Sequence, residues 1–160
     1  MKRLLNLLLL AIACAALPGF AQQFPSRPVR LVVPYPPGGA NDIVARLLAP
    51  SMGAQLGQNV VVDNRGGANT IIGSELVATA APNGHTILII AAGHAINPSL
   101  YHNLPYNTAR DFAAIALVGD GAYVLVAHPS LALASSADLI ALAKSKPGQI
   151  AYATSSIGNL

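Results

Sequence analysis

Three short apolar runs constrain this chain most: Val29–Val33, residues 60–62 and residues 86–90. Each is rich in β-branched residues and of strand length, and none alternates with polar residues. A strand with one wet face alternates. An uninterrupted run such as 86–90 instead implies a strand covered on both faces, as in parallel sheets with helical crossovers. Between the runs, Ile43, Val44, Leu47, Leu48 and Met52 recur at helical spacing, and a second helix is predicted over residues 71–80. The order β-α-β-α-β therefore predicts an open α/β fold.

Local signals refine that reading. Asn41 is the predicted N-cap of the first helix, with Asp42 in its first turn, where negative charge suits the helix dipole. Asp42 and Arg46 are spaced as an exposed i,i+4 pair. Pro50 lacks a backbone donor and predicts a kink there or a break into two shorter helices. Residues 94–109 read as turn-rich, with Pro98 and Pro105. Strands are predicted over 115–118 and 123–127, and a further one begins at 150–153. Ser136–Ser145 reads as a helix capped by Ser135 or Ser136 and stopped by Pro147-Gly148.

The first 21 residues stand apart. Lys2 and Arg3 precede an apolar run over 4–17, and Pro18-Gly19-Phe20-Ala21 supplies a breaker and small residues before a cut after Ala21. That layout predicts a secretory signal peptide and export; the run is shorter than the roughly 20 residues of a membrane-spanning helix. The single cysteine, Cys14, lies within it. Lipoprotein anchoring at Cys14 is the less favoured reading, because the residue three positions upstream is Ala11 rather than Leu. The exported part then has no thiol chemistry, disulfide or Cys-based zinc site.

Nine Lys and Arg against six Asp and Glu fall nearly to balance once Lys2 and Arg3 are set aside. With no basic run and few aromatics, nucleic-acid binding has no electrostatic footprint. G-x-G-x-x-G, the phosphate loop G-x-x-x-x-G-K-S/T, the hydrolase elbow G-x-S-x-G and H-E-x-x-H are all absent. His85, His94, His102 and His128 show no metal-ligand spacing. No catalytic residue, metal or cofactor is assigned, and nothing requires an enzyme.

Ligands of open α/β sheets sit where strand ends lead into helices. Two loops occupy such places. In residues 34–42, Gly38 and Gly39 allow a sharp turn, and the first N–H groups of the next helix are free to meet an anion. The same residues also make an ordinary turn. Residues 154–159 repeat the setting with hydroxyls and one glycine. His94 follows the third strand on the same side, either as a ligand contact or as a loop histidine bonded to backbone.

In order along the chain, residues 28–46 (PVRLVVPYPPGGANDIVAR), 56–68 (LGQNVVVDNRGGA), 81–88 (APNGHTIL), 94–101 (HAINPSLY), 104–106 (LPY) and 110–112 (RDF) closely resemble the tripartite tricarboxylate transporter receptors, the Bug family. The resemblance implies a type II periplasmic-binding-protein fold, two-lobed with open, mainly parallel sheets: residues 22–118 in the first lobe and 119–160 opening the second. It implies a monomer in the periplasm that captures a small carboxylate and delivers it to membrane permease subunits. A carboxylate sensor for a signalling partner and a nonfunctional truncated remnant are the alternatives. The implied ligand contacts are Tyr35, Pro37, Gly38, Gly39, Asn41 and Asp42 in the first loop, His94, and Thr154, Ser155 and Gly158 in the second. Pro50, Ser156 and Asn159 depart from the family pattern. The chain stops in a loop with no helix after it, so it is expected to be truncated and, in this form, to bind poorly.

Overall fold

The computed structural model describes residues 24–154. The predicted signal peptide with Cys14, and Ser155, Ser156, Gly158 and Asn159 of the second loop, lie outside the described residues.

The three apolar runs pair as one parallel sheet. β1 (Val29–Val33) is central, β2 (Val60–Asn64) lies on one side and β3 (Thr86–Leu88) on the other. Val29 aligns with Val60, and Arg30 with Thr86. Leu31, Val33 and Tyr35 point to the face covered by α1 (Ala40–Leu56), where Ala45 and Ile89 complete the core. The opposite face lies under α2 (Ile71–Ala78), which approaches so closely that a Cβ on Gly73 would stand 2.7 Å from Pro34 Cβ. Covered by helices on both sides, β1 is apolar at every position except Arg30, which is half-buried and pairs with Asp63 on β2. Burying each Val or Leu side chain there contributes about 1.5–3 kcal/mol relative to exposure.

Four expectations need correction. α1 begins at Ala40 with Gly39 as N-cap, so Asn41 lies in the first turn and is not the cap. The Asp42 carboxylate, three residues into the helix, reaches back to the Gly38 N–H at 2.8 Å and closes the entry itself. α1 also runs through Pro50 without a break, because packing of Ala45 and Ala49 on the sheet side holds both halves in one helix. The turn-rich reading of 94–109 misses α3 (Gly93–Leu100), which tolerates Pro98 late in its short length.

Finally, residues 113–128 form no strand among the described residues, and neither do 150–153. Ile115, Leu117, Val124 and Val126 are all strongly exposed. A strand exists only as a paired strand, and these runs have no neighbouring strand to pair with. The helix predicted between them does form, as α4 (Ser136–Ser145), with Ser135 as N-cap. Among the described residues no helix is long and apolar enough to cross a membrane.

Candidate functional site

The loops after β1, β2 and β3 converge at the C-terminal end of the sheet. β1 is the switch point: its chain leaves through α1 towards β2, and β3 returns to its other side. The crevice at such a reversal is where open α/β folds take ligands.

The loop after β1 is held from below by one acid. Asp42 is only 2% exposed, and its carboxylate accepts hydrogen bonds from Gly38 N, Arg46 Nε at 3.0 Å and Asn64 Nδ2 at 2.9 Å. The Arg46 bond, then those from Gly38 and Asn64, bring its pKa down to about 2. Asn64 also donates to Tyr35 O at 3.2 Å and accepts from Arg46 Nη2 at 3.1 Å. In the pair expected as an exposed i,i+4 contact, Arg46 is exposed as expected, whereas Asp42 is buried and anchors the loop. It spends the Gly38 N–H internally and fixes Gly38 at φ +84, where a side chain is strained although no atom stands in its way. What remains towards solvent is the exposed run 36–40 and the first amides of α1, at residues 40–42, which have no helical acceptor.

Tyr35 ties this loop to the next. Its hydroxyl accepts from Ala91 N at 3.3 Å, so its own proton remains available to an acceptor. Burial raises its pKa, which keeps that proton in place.

The loop after β2 was not singled out from the sequence, yet among the described residues it holds the one run of successive left-handed non-glycine residues. Ala68, Asn69 and Thr70 have φ of 45, 54 and 74 in succession. Left-handed non-glycine residues cost about 1–2 kcal/mol each, so such a run needs outside support. A Cβ on Gly66 would come within 3.4 Å of Pro36 N and Tyr35 C, which puts this loop directly against the first. The available signal was Gly66-Gly67 ahead of a helix, the same pattern as Gly38-Gly39.

Behind the loops lies a buried polar knot. His94 is on α3, 3% exposed, with Nδ1 3.1 Å from Ser74 Oγ. It stacks on Tyr106 and meets Phe112 edge-on. Burial lowers its pKa, so the ring is neutral. Asn97, fully buried, bonds Asn69, Thr70 and Tyr106.

Of the residues expected in the site, Tyr35, Pro37, Gly38, Gly39, Asn41 and Asp42 are brought together. His94 sits behind them in the knot, and Thr154 is exposed at the end of the described chain. No group of three or more His, Cys, Asp or Glu able to hold a metal occurs among the described residues.

An open parallel α/β lobe with its loops gathered around a strand-to-helix junction is the architecture of periplasmic binding proteins. Rpa4515 of R. palustris, solved with adipate, is 34% identical with a TM-score of 0.71, covering 85% of this chain and 46% of that one. MatC from Rhodopseudomonas palustris with bound malate is 32% identical with a TM-score of 0.72, covering 76% and 42%.

The profile of the tripartite tricarboxylate transporter family receptor matches residues 44–160, and the chain belongs to that family. Protein BugT of Bordetella pertussis is 40% identical over 99% of this chain. The chain spans about half the length of the curated relatives it matches, 50% in the case of BugT.

Proposed function

We propose that this chain belongs to a periplasmic receptor that captures a small carboxylate reversibly and presents it to the permease subunits of a tripartite transporter. Residues 1–21 direct export, residues 22–118 build the first lobe and 119–160 open the second. The acid group meets the loop 35–42 at its exposed run, 36–40, where the α1 amides and the Tyr35 hydroxyl donate to it. The second loop contributes Thr154, Ser155 and Gly158 as ligand contacts, and His94 supports the site from the buried knot behind the first loop.

The observation that carries this reading is the Asp42 anchor. A buried, ionised carboxylate holds Gly38 in a left-handed turn, closes the start of α1 and ties the loop to Asn64 at the end of β2. It also presets main-chain donors at a helix N-terminus, where an anion is favoured without a nearby Lys or Arg. Adipate and malate in the two solved relatives are acids of the same class.

The test is a calorimetric titration of the full-length receptor with succinate, malate, adipate, citrate and benzoate. At least one should bind. Gly38→Ala should then weaken it about tenfold, because the free loop relaxes out of the left-handed turn and has to be driven back into it on binding. An acid that binds wild type and variant equally well would place the ligand away from this loop.

A further inference from the structure

We infer that Asn97 is a positioning residue for the carboxylate site, acting through the strained turn after β2; this rests on the function proposed above. The turn of three left-handed residues, 68–70, contains no glycine, so its geometry has to be imposed from outside. Asn97 imposes it. The two hydrogens of its Nδ2 are shared among Asn69 O at 3.1 Å, Thr70 Oγ1 at 3.3 Å and Tyr106 Oη at 3.4 Å. Its Oδ1 accepts from Asn69 Nδ2 at 2.9 Å. Both ends of one amide are therefore committed, in a place without solvent, where an unmade hydrogen bond is costly.

The clamp has a firm base and a short reach to the ligand loop. The Ser74–His94 contact ties α2 to α3 beside it. The segment leading into the turn lies against residues 35 and 36 at Gly66, two residues before Ala68, where even one added methyl would crowd Pro36 N and Tyr35 C at 3.4 Å. On the far side, Gly73 leaves no room between α2 and Pro34. A turn that relaxes to right-handed backbone must push on the loop that Asp42 holds from the other side. A purely structural need for Asn97 would not call for strain at this one strand end, next to the anion loop.

The experiment uses the full-length receptor and whichever acid of the same panel binds wild type most tightly. Well below the melting temperature, Asn97→Ala should raise Kd about tenfold or more, the usual scale for losing a side chain that orients a site. Adding Ala68→Gly and Thr70→Gly should recover most of that affinity, because glycine holds left-handed backbone unaided. Asn97→Asp keeps the shape but sets a carboxylate oxygen against Asn69 O, so it should not recover the affinity. A residue that only stabilises the fold would lower Tm, leave Kd within twofold for both variants and gain nothing from the glycines; that result overturns the inference alone. A wild-type receptor that binds none of the acids ends the functional reading and this inference with it.

Discussion

Val32 and Leu125 sit in the middle of similar apolar runs, yet Val32 has no exposed surface and Leu125 is 74% exposed. The contrast extends to the regions around them. From 24 to 112 the chain has a paired sheet, two covering helices and a buried polar knot. From 113 to 154 no residue is fully buried. The difference lies in what each element needs. β1 finds parallel partners on both sides within 60 residues of chain, whereas 115–118 and 123–127 have none. α4 asks for no partner: its hydrogen bonds are internal and its ends carry their own signals. Helical structure thus survives in the unpacked region, and strand structure does not.

The largest effect should come from removing equal apolar volume in each region of this chain. Leu31→Ala, in the core cluster, should cost about 2–5 kcal/mol in urea unfolding. Leu125→Ala should stay within about 0.5 kcal/mol, as for an exposed site. Equal losses would break the comparison, since they would mean that 113–128 is packed.

A smaller pair of substitutions sharpens it. A methyl at Gly73 would meet Pro34 Cβ at 2.7 Å and Arg65 O at 2.8 Å, just past the ends of β1 and β2, whereas one at Gly121 meets nothing within 4 Å. Gly73→Ala should therefore cost about 1–3 kcal/mol from overpacking. Gly121→Ala should be neutral or slightly stabilising, because alanine narrows the unfolded ensemble. Urea midpoints of the two variants check this, and a loss at Gly121 as large as that at Gly73 would contradict the open surroundings of the later region.

Much of the ordered region was legible in the sequence because its signals are local or periodic. The apolar runs marked β1, β2 and β3 and implied parallel pairing, and Gly38-Gly39 marked the turn into α1. What stayed hidden depends on contacts distant in sequence. Asn64 meets Asp42 across 22 residues and Asn97 meets Asn69 across 28; neither asparagine carries a pattern that announces its partner. His94 was readable as a site candidate, but its place in the buried knot depends on Ser74, Tyr106 and Phe112 converging on it. The strand expectations at 115–118 and 123–127 failed for the complementary reason. An apolar run records what a segment would do in a sheet, not whether a sheet is there to receive it.

The smallest effect tests the claim that α4 stands on its own signals. Ser135 Oγ accepts from Asp138 N at 3.2 Å, and the Asp138 carboxylate accepts from Ala134 N at 3.1 Å, so the two side chains satisfy donors that the first turn cannot. Replacing Ser135 by Ala removes one of those acceptors and costs about 1 kcal/mol of helix stability. A ten-residue helix with no buried residue is marginal to begin with, so that loss should lower its population severalfold, visible as a fall in the helical carbon shifts of 136–145. The urea midpoint of the β1 core should not move, because nothing in the core leans on α4. If the midpoint shifts with the cap, the two regions are coupled and α4 is held by packing. If neither changes, Ser135 is not what starts the helix.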